Sequence, residues 1–372
     1  LAAVGVAYRF LQVLYEASGR SLDESMFIDL VALGTVVDVA PLTDENRGIV
    51  TAGLAQMQHS LRPGLEALAS VSRTRVEHLG AEALGFALGP RMNAAGRLKH
   101  ANIALELMLA DDPRQARLLA EELDTLNRQR QEQTAAAYEL AEELCGAADD
   151  PLIFVHTDHI HAGIVGLVAA RLAERRNRPA IVLNRGPHVS RASARSIPAF
   201  DIVRAIRKER DLLVRHGGHR AAAGFTVQNE HLDTLRDRLV NTAAEMLDDH
   251  QRRPVIEIDA ETPLSALPAI EVRGLMRFEP CGQGNPRPVL LSRNVTVVTA
   301  RPVGATGDHL KLTLRHAGIT WGAIAFRQGH AEIADEVDIV YSLKQDWRGQ
   351  RAELEVLDIV PSAHGHPLEV DP

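Results

Sequence analysis

The feature that most restricts how this chain can fold is a long, mostly polar segment near its middle, residues 112–144. Asp112 suits a helix N-cap and Pro113 suits the first helical position. Leucines and alanines then recur at spacings of three or four residues or their sums, which is the pattern of an amphipathic helix. Such a helix spans about 50 Å. Because most of its surface is polar, we expect it to connect two domains.

The segments after this helix have two different patterns. A strand-like PLIFV, a helical stretch over residues 164–175 and a strand-like PAIVL follow one another, which is the order of a βαβ unit. Beyond residue 252 the apolar residues alternate in short stretches such as VIEIDAE, HLKLTLRH, TWGAIAFRQ, EVDIVYSLKQDW and AELEVLDIV. Several short alternating strands separated by turns predict a small barrel or sandwich.

The segment DLVALGTVVDVAPLTDENR places Asp38 near the end of an apolar run. Ser21 and Glu24 have the spacing of a capping box, so we predict a buried helix over residues 22–37 that Pro41 closes. A lone ionised carboxylate in an apolar setting costs several kcal/mol. Asp38 should therefore have a backbone donor, a cation or a metal as its partner.

Charge is distributed unevenly along the chain. The formal net charge is −8, yet residues 171–220 hold twelve Arg and one Lys against four acidic residues. A basic patch on an acidic background indicates that one face meets a polyanion, although a solvated helix surface is the alternative. The two cysteines, Cys145 and Cys281, exclude a disulfide framework and a four-ligand zinc site, so we expect a reducing cytoplasm.

Four short motifs combine glycines with groups that bind phosphate. Guanidinium groups match phosphate oxygens in two-point contacts, and glycines let the backbone approach a ligand closely. For each motif alone a structural role is the alternative, but together they favour phosphodiester chemistry. No P-loop, nucleophile-elbow or H-E-x-x-H motif occurs in the sequence. The candidate residues are Arg91, Asn93 and Arg97 in GPRMNAAGR, His161 in HIHAGIVG, Ser193, Arg195 and Ser196 in RASARSIPAFD, and His219 in HGGHRAAAG.

In this order the motifs ALGTVVDVAPLTDENR, GPRMNAAGR, HAGIVGLVAARLAER, SARSIPAFD, GGHRAAAGF and FEPCGQGNPRPVL resemble the RecJ single-strand-specific exonucleases of the DHH phosphoesterase superfamily. The resemblance covers almost the whole chain. It implies an α/β protein with a C-terminal β-barrel. Its expected parts are the end of a DHH catalytic domain (residues 1–110), a connecting helix (111–146), a DHH-associated substrate-binding domain (147–250) and an OB-fold (251–372).

The resemblance also implies roles for the candidate residues. Asp38 matches a ligand of a two-metal centre holding Mn²⁺ or Mg²⁺. The positions that match substrate contacts are Arg91, Asn93, Arg97, His161, Ser193, Arg195 and His219. The implied activity is 5′→3′ hydrolysis of single-stranded DNA in repair and recombination, with single-strand-binding protein as an expected partner. The family's other metal ligands, including its Asp-His-His triplet, have no counterpart before Asp38. We therefore expect a fragment that is catalytically inactive on its own.

Two alternatives remain open at this point. Smaller DHH-family proteins cleave short oligonucleotides or small phosphoesters, and some relatives are non-catalytic nucleic-acid-binding modules. In the predicted OB-fold, Arg287 is a candidate phosphate contact, although a structural role is the favoured interpretation for a lone arginine. Ordinary core packing is the alternative for each candidate base-stacking aromatic. Those aromatics are Trp321, Phe326, Tyr341 and Trp347.

Overall fold

The computed structural model describes residues 1–145, 150–248, 253–267, 274–304, 306–345 and 352–362. Its contacts divide the chain into two compact units. The first unit comprises Leu1–Leu61, Arg73–Gly89 and Ile256–Pro372, and the second comprises Arg62–Ser72 and Pro90–Val255. The predicted division into four domains stays a prediction.

The helices and strands follow one another in a mixed order. In chain order the α-helices are α1 Ala3–Ala17, α2 Ile28–Val37, α3 Asp44–His59, α4 Pro63–Val71, α5 Ala81–Ala83, α6 Gly89–Leu98, α7 Asn102–Leu109, α8 Pro113–Leu144, α9 Val165–Arg176, α10 Ile202–Lys208 and α11 Leu232–Met246. The strands are β1 Ile153–Thr157, β2 Ala180–Arg185, β3 Val189–Arg195, β4 Leu213–His219, β5 Ala222–Gln228, β6 Ala260–Glu261, β7 Val289–Val303, β8 His309–His316, β9 Ile319–Ala325, β10 Glu336–Gln345 and β11 Ala352–Pro361.

The first unit combines helices with a closed barrel. Strand β7 pairs with β8, β8 with β9, β9 with β11 and β11 with β10, and β10 pairs back onto β7. The predicted C-terminal β-barrel is confirmed, and five strands close it. The stretch VIEIDAE contributes only β6, a two-residue addition beside β7. Closure leaves the five strands without a free edge, and alternate residues fill the interior.

The helix predicted to begin after Ser21 begins later. A 3-10 turn, Glu24–Met26, comes first, and the Asp23 carboxylate caps it by accepting a hydrogen bond from the Ser25 N–H at 3.1 Å. Helix α2 starts only at Ile28. The predicted capping box is therefore wrong, because Asp23, rather than Ser21, supplies the side-chain acceptor to this turn.

The second unit is built on a five-stranded sheet with strand order β1-β2-β3-β5-β4. Strands β1 and β2 are parallel and α9 connects them, which confirms the predicted βαβ unit. Apolar residues of α8 and α9 cover one face of the sheet, and residues of α10 and α11 cover the other. Burial on both faces explains why PLIFV and PAIVL are continuous apolar runs.

The long helix α8 is confirmed, with Asp112 as its N-cap. The Asp112 carboxylate accepts a hydrogen bond from the Arg114 N–H at 3.1 Å. Near its C-terminal end, Ala137, Tyr138 and Ala141 pack into the core shared with the sheet. All of α8 belongs to the second unit, and its role as a domain connector stays a prediction. Within the described ranges, no helix is both long and apolar enough to cross a membrane.

Candidate functional site

The second unit contains a cleft of about 590 Å³ whose walls carry several arginines. Its volume lies in the usual range of ligand-binding sites. The cleft is formed by residues of α6, the start of α9 and strands β3, β4 and β5. Its polar and glycine residues are Arg97, Gly163, Gly166, Arg191, Ser193, Arg195, Arg215, His216, Gly217, Gly224 and Thr226.

Strand β3 presents a row of polar side chains because its sequence alternates. In RASAR, Ala192 and Ala194 face the core shared with α10 and α11. Arg191, Ser193 and Arg195 therefore face the opposite side, towards α9, since successive side chains of a strand point to opposite faces. Two alanines keep the intervening positions small and apolar. The strand thus delivers two guanidinium groups and a hydroxyl to one wall of the cleft.

The register of the sheet extends these rows across β5 to β4. Ser193 pairs with Gly224, which pairs with Gly217, so this row carries one hydroxyl followed by two positions without side chains. Arg195 pairs with Ala222, which pairs with His219. His219 is exposed, lies two strands or about 10 Å from Arg195, and does not line the cleft.

Two glycines at the start of α9 allow the walls to approach one another. A Cβ on Gly163 would overlap the carbonyl oxygen of Arg97, and a Cβ on Gly166 would lie 2.9 Å from Ser193 Oγ. The guanidinium of Arg97 in turn donates a hydrogen bond to the Gly163 carbonyl oxygen at 3.2 Å. The N-terminal end of a twelve-residue helix, whose first turn contains no acidic residue, therefore opens beside Ser193 and Arg195. Such an end attracts anions.

The electrostatic character of the cleft is strongly cationic. Burial lowers the pKa of both Arg97 and Arg195, and the neighbouring charge of Arg97 lowers that of Arg195 further. Both groups remain protonated at neutral pH. Among the described residues, neither guanidinium has a carboxylate within ion-pair distance. Two partly desolvated cations that lack an acidic partner favour an anion from outside the protein.

A third arginine, Arg130 of α8, lies near enough to Arg97 for their charges to interact. Burial lowers the pKa of Arg130, and the charge of Arg97 lowers it further. Arg130 donates a hydrogen bond to the Asn127 side-chain oxygen at 2.9 Å, and its buried Nε has no partner in the described part of the chain. Arg130 therefore adds positive potential to the Arg97 side of the cleft.

Three other predicted substrate contacts lie outside the lining of the cleft. Arg91 forms an ion pair with Asp124 of α8, with 2.9 Å between Nε and Oδ1. Asn93 is exposed on α6. His161 is exposed, and its Nδ1 accepts a hydrogen bond from the Gly163 N–H at 3.1 Å. The structure thus brings together Arg97, Ser193 and Arg195, and leaves these three residues and His219 apart from them.

In the first unit, Asp38 is the C-cap of α2 and is exposed. The buried carboxylate of the apolar run is Asp29, which is only 3% exposed. The expectation that a partner must offset the cost of burying Asp38 is therefore wrong, because α2 ends where the chain reaches the surface and the Asp38 side chain is exposed. Its side chain remains open to a ligand.

The helix end at Asp38 has an uncommon backbone. The Val39 N–H donates to the Val36 carbonyl and the Ala40 N–H to the Thr35 carbonyl, at 3.0 and 3.2 Å, which is the Schellman pattern. Glycine usually occupies the left-handed position of this motif, but here Val39 has φ +56°. A β-branched residue in this conformation is strained by about 1 to 3 kcal/mol, and such strain is concentrated at functional sites.

The described residues do not complete a metal site around Asp38. No group of three or more His, Cys, Asp or Glu side chains that could hold a metal ion occurs in the ranges that the structure covers. One carboxylate cannot hold two divalent cations in a two-metal arrangement. Asp38 can thus supply a single ligand.

The barrel candidates differ in what they offer to a ligand. Tyr341 is fully buried, and its hydroxyl lies 3.1 Å from Ser292 Oγ, so the prediction that it stacks on a base is wrong. Trp321 packs against the barrel core and donates to the Leu264 carbonyl oxygen at 3.3 Å. Phe326 is 41% exposed, with Lys344 Nζ 4.4 Å from its ring centre. Trp347 lies outside the described residues.

Arg287 is occupied by acidic partners. Its guanidinium lies 2.7 Å from Glu82 and 2.9 Å from Glu279. Burial alone would lower the pKa of Arg287, but the two carboxylates raise it overall. We conclude that Arg287 links its own segment to the segment around Glu82 within the first unit, which agrees with the structural role that the sequence favoured over a phosphate contact.

Several residues of the cleft escaped the sequence analysis. Arg191 could have been found from the alternation in RASAR, since the same period that selects Ser193 and Arg195 also selects Arg191. Arg215 lies on β4 and reaches the cleft only through the pairing of β4 with β5, where its Nε donates to Thr226 Oγ1 at 3.3 Å. No local pattern indicates that contact.

Comparison with known proteins gives consistent matches. A family model described as the DHHA1 domain matches residues 149–255, and one described as the RecJ OB domain matches residues 258–358. The chain is 35% identical to the single-stranded-DNA-specific exonuclease RecJ of Bacillus subtilis over 338 residues, and 34% identical to RecJ of Salmonella typhimurium over 393 residues. These alignments include 89% and 96% of the chain.

Solved structures agree with these matches. Crystal structures of RecJ from Thermus thermophilus in complex with Mg²⁺ and with Mn²⁺ match 96% of the chain with a TM-score of 0.82, at 32% and 33% identity. The chain spans 42% of the Bacillus relative, 67% of the Salmonella relative, and 56% and 53% of the two Thermus chains. Its described part thus corresponds to a portion of these longer proteins.

Proposed function

Because the chain belongs to the RecJ family of single-stranded-DNA-specific exonucleases, we propose that its second unit binds the phosphate backbone of single-stranded DNA for a 5′→3′ exonuclease. The observation that carries this proposal is the convergence of Arg97, Ser193 and Arg195 on one cleft in which neither arginine has a carboxylate partner among the described residues. The substrate and the activity of the whole protein are part of the proposal.

The chemistry of the cleft suits a phosphodiester. Guanidinium groups and a hydroxyl donate hydrogen bonds to phosphate oxygens, and the start of α9 adds backbone N–H groups. Contacts of this kind fix the position of the strand without reading its bases. Such sequence-independent binding is what an exonuclease that degrades any single strand requires.

The metal-dependent part of the proposal concerns Asp38. We assign it as one carboxylate ligand of a centre that takes Mn²⁺ or Mg²⁺, supported by its exposure and by the strained backbone at Val39. Such ions activate water and neutralise charge on the transferring phosphoryl group. Among the described residues, no group of three or more His, Cys, Asp or Glu side chains completes this centre.

The wider biological setting is also proposed. A role in DNA repair and recombination, action in the cytoplasm and contact with single-strand-binding protein are expectations of the family. The acidic balance of the chain outside residues 171–220 is compatible with confining DNA to a basic surface.

The proposal is tested by measuring DNA binding across salt concentrations. We expect oligonucleotides of equal length and different sequence to bind with similar affinity, and the logarithm of the affinity to fall linearly with the logarithm of salt concentration. Fluorescence anisotropy with thymidine, adenosine and mixed-sequence strands measures both quantities. Strong sequence preference, or affinity independent of salt, would contradict binding through the phosphates.

A second expectation concerns catalysis by this polypeptide alone. Incubated with 5′-phosphorylated single-stranded DNA and Mn²⁺, it should bind the strand but release no nucleotides, because Asp38 is a single carboxylate. Denaturing gel electrophoresis of the labelled strand reports release. Sustained release that is lost in Asp38→Asn would show that further ligands are available and would overturn this expectation.

A further inference from the structure

The first unit contains a second cleft, of about 770 Å³, that the proposed function does not use. Residues of α3, the segment 73–87, the segment 276–280, Arg287 and Lys344 line it. Its wall carries Phe86, which is 82% exposed. A ring this exposed on a cleft wall is available to a ligand that stacks on it.

The backbone around Phe86 is held in an uncommon form. Leu84–Leu88 is one turn of π-helix, and such turns occur frequently at functional sites. Leu84 and Leu88 are fully buried, which anchors the turn on either side of the exposed ring. At the end of the turn, a Cβ on Gly89 would lie 2.6 Å from Val37 Cγ2, so this glycine lets the turn pack against α2. The turn therefore presents Phe86 from a rigid support beside the end of α2.

The lining carries four cationic side chains against three carboxylates, so it is cationic by one charge: Arg73, Arg75, Arg287 and Lys344 against Glu77, Glu82 and Glu279. Glu82 and Glu279 are both engaged by Arg287. Arg73 and Arg75 are exposed on the wall, and no carboxylate partner for either is found among the described residues. The cleft thus combines one exposed ring with two available guanidinium groups. Single-stranded nucleic acid offers the matching chemistry, namely a flat base between negatively charged phosphates.

From this combination we propose a second binding site for single-stranded DNA, in which Phe86 stacks on one nucleobase and Arg73 and Arg75 contact the phosphates beside it. The residues of this site are different from those of the phosphate-binding cleft in the second unit. The inference rests on the proposed function only in that both sites take the same class of ligand. This site differs in needing a base, whereas the Arg97 and Arg195 cleft needs only phosphate.

The test compares strands with and without bases. Phe86→Ala should weaken binding to a thymidine oligonucleotide by about 5- to 150-fold, the range of one lost base stack. Binding to an abasic strand of equal length should be the same for the variant and the parent protein. Phe86→Trp should retain affinity for the thymidine strand. An oligonucleotide carrying 2-aminopurine should show less quenching with Phe86→Ala at saturating protein.

Leu118→Ala is the matched control, since Leu118 is also a large exposed apolar residue, 68% exposed on α8. It should leave both affinities unchanged. Thermal melting of each variant checks that the fold is retained. The inference is overturned if Phe86→Ala binds the thymidine strand like the parent, as it would if another protein covered the ring. Equal losses on both strands would overturn it as well.

The charged part of the site has its own test. The double variant Arg73→Gln and Arg75→Gln should lower the slope of affinity against salt by about two units on both strands. Its control, Arg117→Gln with Arg128→Gln, removes two exposed arginines that are paired to acids on α8 and should leave the slope unchanged. An unchanged slope in the Arg73 and Arg75 variant would remove these residues from the site. Arg195→Ala tests the phosphate-binding cleft of the second unit independently. A wrong prediction for that cleft can therefore be distinguished from a wrong prediction for Phe86.

Discussion

Replacing Arg195 with alanine should weaken binding to single-stranded DNA by about 10- to 150-fold, whatever the base sequence. The variant removes a partly buried guanidinium from the wall of the cleft, where Ser193 and Arg97 remain as donors. A hydrogen bond to a charged group contributes about 1.5 to 3 kcal/mol, which corresponds to that range. The slope of affinity against salt should fall by about one unit, since one phosphate contact is lost. Anisotropy titrations at several salt concentrations measure both effects.

Two variants sharpen the interpretation of that experiment. Arg207→Ala removes an equal charge from the exposed face of α10, outside the cleft, and should have little effect on affinity. Arg195→Lys keeps the charge but loses the planar fork, so it should recover the salt slope and only part of the affinity. Equal losses in Arg195→Ala and Arg207→Ala would mean that general electrostatic attraction, rather than the cleft, binds the strand.

Replacing Gly163 with alanine should damage the same cleft without removing any charge. The added methyl group would overlap the backbone carbonyl of Arg97, which cannot move away as a flexible side chain could. We expect the free energy of unfolding to fall by about 1 to 3 kcal/mol, as for other overpacked sites. DNA affinity should fall by about tenfold or more, because the guanidinium of Arg97 moves away from the phosphate position. Chemical denaturation and anisotropy measure the two effects.

Gly217 provides the matched control, since it also lines the cleft. A Cβ there meets nothing within 4 Å, so Gly217→Ala should leave the free energy of unfolding unchanged. In a chain that already carries Arg97→Ala, Gly163→Ala should cause little further loss of affinity, because no guanidinium remains to be misplaced. Additive losses would show that Gly163 acts on DNA binding by another route.

Much of the architecture followed from local patterns. The N-cap at Asp112, the period of α8 and the apolar runs of β1 and β2 are properties of neighbouring residues, so the helix and the βαβ unit were predicted correctly. The alternating segments after residue 252 were enough to predict a small barrel or sandwich. The start of α2 was missed because two nearby acceptors, Ser21 and Asp23, compete for the same turn and only one is used.

The candidate site was only partly predictable from the sequence. The sequence by itself determined which residues carry phosphate-binding chemistry, because side-chain type and short glycine motifs are visible along the chain. Only the tertiary structure decided which of them meet. It placed Arg97 beside Ser193 and Arg195. It also paired Arg91 with Asp124 and Arg287 with Glu82. It also exposed Phe86 and buried Tyr341. The physical reason is that strand register, helix packing and ion pairing join residues far apart in the chain, and local patterns do not specify those contacts.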